Sequence, residues 1–391
     1  MTLRDPYASP ELDRAKLICP EISARALEVE AARRLPADLA ARLNDTGLPH
    51  LSVPAAYGGG GGSAMQIMRA IEEISAADGA VGWCAMIYAT TAVVSGLLPA
   101  DWARKIYSRQ NGCLTGGSTP PMGRAVVTDG GVRVTGRWPW GSGAQNCDWI
   151  TGGTYILEDG KTPLLPTGEP RVHIMYFERS QVSLHDNWDP SGLIGTGSVD
   201  FEVTDAFVPE GRWIVFGEAK PAIDETLYRF PFFGVFAAAV SAVPLGIARH
   251  ALACFVELAR DKTPTWQRDT LSKHPIAQAS FGKAEALYNG ARNAIYGAVH
   301  EVWDHVAGGG EASLEDRRRL RLAAAFATEA CAQAVDILYT AGGGSSIHRA
   351  NPLQRCFRDI HVATQHRMVS QANYETAGAL KLRRERAITM F

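Results

Sequence analysis

The feature that most constrains this chain is that its hydrophobic pattern changes period twice. Residues 11–110 read as helix. ELDRAKLICPEISARALEVEAARRLPADLAARLNDTG sets apolar residues three and four apart, with Gly47 placed to end it. Ser63, after the run Gly58–Gly62, suits the N-cap of a second helix, and a strongly apolar third begins near Val81. From about 113 to 215 the period drops to two. AVVTDGGVRVTGRW alternates on both sides of Asp129-Gly130-Gly131, a hairpin signal, and DWITGGTYI, RVHIMYFER and SVDFEVTDAFVP repeat the theme. From about 220 the helical period returns in three long segments and a fourth from about Pro352, broken at Gly308–Gly310 and Gly342–Gly344. This order predicts an α+β protein in three parts. They are an N-terminal helical domain (1–112), a middle β domain of barrel or sandwich type (113–216) and a C-terminal four-helix bundle (217–391).

Charge excludes several partners. Lys and Arg total 39 against 41 Asp and Glu, a balance that suits neither a nucleic-acid binder nor an electrostatically held membrane protein. Seven scattered cysteines without a CxxC pair read as reduced thiols of a cytoplasmic protein. The polar start MTLRDPYASPELDRAK is no secretory signal. Ala80–Ala100 and Phe230–Ala248 approach membrane-span length, but Gly, Ser, Thr and Pro interrupt them, and buried core helices are expected.

Familiar motifs fail. GGGGGSAM lacks the Lys-Ser/Thr of a phosphate loop, and His300 and His305 in HEVWDH are five residues apart, not the four that share a metal. Trp140-Gly141-Ser142-Gly143 lacks the first glycine of a nucleophile elbow. More particular are GGSTPPMGRA (116–125), RWPWGSGAQNCDW (137–149) and NWDPSGLIGTGSVDFEVTDAFVPEGR (187–212). Their tryptophans either fill a β core or form a flat wall beside backbone N–H groups and hydroxyls, a surface suited to a planar heterocycle. CFRDIHVATQHRM (356–368) adds His361 and His366, whose five-residue spacing places them on different helix faces.

Together, EEISAADGAVGW, the WITGG and GLIGTGS…VTDAFVP stretches, and AVDILYTAGGGSSIHRANPLQRCFRD resemble the acyl-CoA dehydrogenase superfamily over nearly the whole chain. That superfamily has the α, β, four-helix-bundle order and is usually a homotetramer. Many of its dehydrogenases carry a glutamate base shortly after the Arg-Asp pair, where this sequence has His366-Arg367-Met368. The GRWP…SG…DW turn, the ST-P-G-A segment and the histidine are more similar to the flavin-dependent two-component monooxygenases of the same fold. Those include the hydroxylases of p-hydroxyphenylacetate and steroid phenols, and dibenzothiophene monooxygenase.

The resemblance implies reduced flavin (FADH2 or FMNH2) reacting with O2 through a C4a-(hydro)peroxide. A separate NAD(P)H:flavin reductase would supply the flavin, since no nicotinamide fingerprint occurs here. It implies His366 as catalytic base or acid, and Ser142 beside flavin N5. Ser118, Trp140, Gly195, Thr196, Gly197 and Ser198 would hold the cofactor, with Arg249 and Gln278 at its ribityl or phosphate end. Trp83, Tyr88, Thr91 and Trp138 are expected to line the substrate pocket, and Trp138, Trp140 and Trp149 to form a dry aromatic wall. The readings set against this are an acyl-CoA dehydrogenase and a flavin-binding protein without catalysis.

Overall fold

The computed structural model describes residues 8–107, 112–158, 160–384 and 391. Helix α1 (Pro10–Ala24) starts where Ser9 Oγ accepts the Leu12 N–H at 3.1 Å. The long first helix expected from the periodicity is three. Left-handed Arg33 and Pro36 separate α2 (Ala26–Ala32) from α3 (Ala37–Asp45), and Gly47 follows at φ 77°. A capping box of Ser63 and Gln66 opens α4 (Ala64–Ala77). Asp78 accepts the N–H groups of Ala80 and Val81, both at 3.0 Å, so α5 (Gly79–Ala92) begins two residues before Val81. A short α6 (Ala100–Tyr107) completes this part.

The middle strands are β1 (Thr115–Thr128), β2 (Gly131–Gly141), β3 (Trp149–Leu157), β4 (His173–Glu178), β5 (Ser183–His185), β6 (Val199–Pro209) and β7 (Trp213–Val215). Thr128 pairs with Gly131 across the β1–β2 turn, where the hairpin signal lies. The strands form one seven-stranded sheet in the order β5-β6-β2-β1-β3-β4-β7, with β1 and β3 parallel and the other pairs antiparallel. It is open, not a closed barrel or a two-sheet sandwich. Its edge strands, β5 and β7, are three residues each and pair on one side only.

After α7 (Thr226–Arg229), the bundle consists of α8 (Phe232–Asp261), α9 (Pro275–Ala307), α10 (Leu314–Gly342) and the shorter α11 (Pro352–Ala363), with α12 (Ala372–Lys381) beyond a turn. Both apolar stretches are interior helices. The apolar windows of α5 and α8 are 89% and 83% buried inside the protein.

Two polar knots join the parts. Glu72 on α4 is fully buried and accepts from Tyr288 OH (3.0 Å), Arg292 Nε (2.9 Å) and Tyr296 OH (2.6 Å) on α9. Burial alone would raise its carboxyl, but the hydrogen bond and charge of Arg292, then Tyr296, hold it below the ordinary glutamate range. The second knot lies at the start of α5, where Asp78 meets Arg355 of α11 at 3.5 Å and buried Asp359 accepts the Leu193 N–H at 2.6 Å. Replacing Glu72 with Ala strands a half-buried guanidinium and two tyrosine hydroxyls. The expected loss is about 3 kcal/mol, read as a lowered thermal midpoint; an unchanged midpoint would show the knot to be neutral.

Candidate active site

Three loops and two helices converge above α5. At the end of β2, Trp140 takes φ 65° and Gly143 φ 67°, a left-handed turn that presents Ser142. Gly143 is obligatory there, since an added Cβ would lie 2.3 Å from the Tyr88 hydroxyl. The loop before β6 takes left-handed Leu193 and Gly197, and its Thr196 carbonyl accepts the Gly143 N–H at 2.9 Å. Gly195 admits this loop onto the helices, because a Cβ there would meet Val29 at 2.3 Å and Ala80 at 3.2 Å.

The two turns bring hydroxyls into a row. Trp83 Nε1 donates to Ser142 Oγ at 3.1 Å, Ser142 and Ser198 meet at 2.7 Å, and Ser198 and Thr196 at 2.7 Å. Thr196 Oγ1 donates to the Leu193 carbonyl at 2.8 Å. All four side chains are buried.

His366 packs against the Trp83 ring from the turn after α11, not from the helix itself. Its imidazole meets Trp83 edge-on at 5.6 Å and Phe236 of α8 in the same way at 5.6 Å. These apolar surroundings, then the charge of Arg321, push the half-buried ring down to about 4, so it is neutral at ordinary pH. The Met368 N–H donates to Nδ1 at 3.2 Å, which assigns the neutral ring's proton to Nε2. In this state Nε2 offers a proton, not a lone pair. His361, five residues earlier, faces away and pairs with Asp336 at 2.8 Å.

Among the described residues, no carboxylate bonds directly to Trp83, Ser142, Thr196, Ser198 or His366. The next carboxylate in sequence, Glu375, is exposed on α12.

The other expected residues divide. Tyr88 donates to the Gly143 carbonyl at 3.1 Å and Thr91 to the Thr115 carbonyl at 2.8 Å, so both brace the sheet against α5. Ser118 lies on β1 opposite Gly152, two residues past Gly116, where an added Cβ would sit 3.5 Å from the Ser142 carbonyl.

Trp138 is not a pocket residue. It is fully buried, stacks on Phe201 at 5.2 Å, packs on Phe177 and donates to the Gly153 carbonyl at 2.7 Å. Trp149 is likewise spent against Trp102, while Trp140 is 62% exposed. The three-tryptophan wall does not form, because left-handed Trp140 breaks the β2 alternation that would set it beside Trp138.

Arg249 and Gln278 do not share a site within this chain. Arg249 pairs with Glu73 at 3.2 Å. Gln278 lines a separate groove of about 230 Å³ with Phe255, Arg260 and Phe281. The residues the sequence reading missed are Phe236, Leu193 and Asp359. Only Asp359 carried a signal, as the acid of the Arg-Asp pair.

This architecture is that of the acyl-CoA dehydrogenases, and the models of their N-terminal and C-terminal domains match residues 15–99 and 238–371. Indole-3-acetate monooxygenase of Pseudomonas putida is 31% identical over 91% of this chain and 90% of its own length. The oxygenase component of an FADH(2)-dependent resorcinol hydroxylase from Rhizobium is 26% identical over 91% of this chain and 88% of its own. The crystal structure of 3-HSA hydroxylase from Rhodococcus sp. RHA1 superposes with a TM-score of 0.89 at 25% identity, covering 98% of this chain and 100% of that one. The chain belongs to the acyl-CoA dehydrogenase superfamily and, within it, to the flavin-dependent monooxygenases.

Two outcomes follow from this geometry. In imidazole ¹⁵N spectra, His366 stays neutral down to about pH 4. Because the unfolded ring titrates near 6.5, its burial makes stability fall as pH drops from 6.5 to 4; a folded-state midpoint near 6.5 would contradict the assignment. Trp138→Phe should lower the thermal midpoint while leaving flavin affinity within about twofold, as a core residue and not a pocket residue would.

Proposed function

We propose that the protein uses reduced flavin and O2 to place one oxygen atom on a small aromatic or heteroaromatic molecule, and that a separate NAD(P)H:flavin reductase delivers the flavin as FADH2 or FMNH2. The observation that carries this reading is the neutral His366 imidazole against Trp83, whose indole N–H Ser142 accepts, in a setting without a bonded carboxylate. A dehydrogenase that removes a carbon-bound proton needs a strong base at such a position, and a ring held near 4 with its proton on Nε2 is a poor one.

The residues fit a flavin. Left-handed Gly143 and Gly197 let the two loops pack tightly on each other and on Tyr88 and Gln145, which fixes the backbone around Ser142 and Ser198. The Ser142 hydroxyl and the backbone of Gly195–Ser198 supply polar contacts to a ring system, and Trp140 turns a bare indole outward next to them. Reduced flavin, when bound, supplies the two electrons that activate O2. The protein's own part is to orient and to exclude water. His366 donates from Nε2 to an oxygen that gains negative charge, as a neutral imidazole does when its pKa is depressed. Trp83 and Phe236 hold that ring and displace solvent around it.

The substrate class rests on the relatives named for indole-3-acetate and resorcinol, and the reductase on a relative described as an oxygenase component. The superfamily resemblance supports a homotetramer, and the free cysteines are compatible with the cytoplasm. Exposed Ile276, Phe326 and Ile347 on the C-terminal part are apolar surface that subunit contacts would cover.

Reduced FMN or FAD, O2 and a panel including indole-3-acetate and resorcinol test this reading. Wild type should convert a panel member with little H2O2. His366→Ala should keep flavin binding but lower the product rate about 100-fold while H2O2 rises. Unchanged product per flavin oxidised would remove His366 from the chemistry, and anaerobic bleaching of bound flavin by an acyl-CoA would favour the dehydrogenase.

A further inference from the structure

Beside His366 the protein keeps a buried cation that no anion of the described residues neutralises. Arg321 of α10 is 3% exposed, and among those residues no carboxylate lies within ion-pair distance of it. Its Nε and Nη2 both donate to Asn373 Oδ1, at 3.0 and 2.5 Å, and Nη1 meets the Met368 sulfur at 2.6 Å. The Phe391 ring lies over it at 5.7 Å. Burial, then the charge of Arg367, push the guanidinium down to about 10, so it is still charged at neutral pH.

Buried charges are normally paired, because an uncompensated one keeps the penalty of losing water. Glu72 follows that rule, with Arg292 bonded to it. Arg321 does not. Its principal partner is a neutral amide, and the Asn373 N–H bonds are spent on the carbonyls of Arg367 (3.0 Å) and Ser370 (2.7 Å), which leaves Oδ1 facing the guanidinium. Of the five N–H bonds of an arginine, three are engaged here, two on one amide oxygen and one on a thioether, a weak acceptor. The remaining N–H of Nη1 and that of Nη2 meet no oxygen among the described residues. The fork is oriented without being neutralised, and two donors are left for an incoming carboxylate.

Met368 ties this fork to the site. Its N–H donates to His366 Nδ1 at 3.2 Å while its sulfur touches Arg321. The Arg321 charge also reaches the imidazole, where it acts after burial. A methionine side chain has three rotatable bonds, so it can turn aside for a ligand while its backbone still holds His366.

We propose that Arg321 recognises an anionic group on the substrate, so that the substrate class is aromatic carboxylates, bound with the carboxylate on Nη1 and Nη2 and the ring toward His366. This rests on the monooxygenase reading above and narrows its substrate. A ligand that brings its own negative charge is the missing partner of the buried guanidinium, and an uncharged ring of the same shape leaves that charge unanswered.

The test uses acids and their amides with the same ring: indole-3-acetate and indole-3-acetamide, 4-hydroxyphenylacetate and its amide, 3-hydroxybenzoate and its amide. Each is titrated calorimetrically into the protein with anaerobically reduced FAD, and each is then offered as substrate with O2. At least one acid should bind wild type about 30-fold more tightly than its own amide. Arg321→Met should bring that ratio to within about twofold of one, and under turnover the KM for the acid should rise more than kcat falls. An arginine with a structural role alone would instead lower the thermal midpoint and leave the ratio unchanged.

Should Arg321→Met not fold, Asn373→Asp gives the second measurement. It sets an internal carboxylate on an intact Arg321, and the acid preference should again be lost. Acids and amides bound alike by wild type, no binding of any of them, or an acid preference that survives either variant within about twofold would overturn the inference. Oxygenation of a neutral ring would leave the monooxygenase reading standing. Failure to bind reduced flavin, with no O2-dependent product from any compound, would overturn that reading as well.

Discussion

The structure around the site depends on one contact, the indole N–H of Trp83 on the Ser142 hydroxyl. Its donor comes from a helix in the N-terminal part, its acceptor from a turn in the sheet, and the same indole meets the His366 ring edge-on from beyond α11. One flat side chain therefore sets the spacing of a hydroxyl, an imidazole and the apolar surface between them. A Trp is suited to this because it has a single donor and a large rigid body, so fixing the N–H also fixes the ring.

What holds Trp83 in place is the start of its own helix. Asp78 caps α5, and Arg355 and Asp359 from α11 close around it. Burial, then the Asp78 charge, push Asp359 up to about 7, so its carboxyl takes up a proton near neutrality. The folded state binds that proton more tightly than the unfolded chain, and the contribution to stability falls as pH rises from about 3.8 to 7. The Asp359 carboxylate is held below the loop, on the Leu193 N–H, and not against the His366 ring. The same element that delivers the imidazole thus anchors the loop carrying Thr196 and Ser198.

Much of this was legible from local chemistry. The Ser63 cap, the Gly47 stop and the Asp129-Gly130-Gly131 hairpin are short-range signals, and each falls where its residues point. Ser142, Thr196, Ser198 and His366 stood out as polar groups in glycine-rich turns or after the Arg-Asp pair, and the structure brings them around Trp83. What was not legible depends on long-range packing or on a single dihedral. A positive φ at Trp140 undoes the alternation that would place it with Trp138, and nothing in the apolar run of α5 marks which face meets a turn 59 residues later. Arg249 looked available until Glu73 folded beside it. The barrel or sandwich expected from the short β-branched runs is an open sheet, because the edge strands β5 and β7 stand at opposite ends of the order and pair only with β6 and β4.

Oxygen transfer is the work of this apolar site, with a neutral imidazole in place of an acid. The most direct measurement is isotopic. With reduced flavin, ¹⁸O₂ and an aromatic substrate that the protein turns over, each product molecule should carry one ¹⁸O atom. Product carrying oxygen from water, or a desaturated product carrying none, would contradict it.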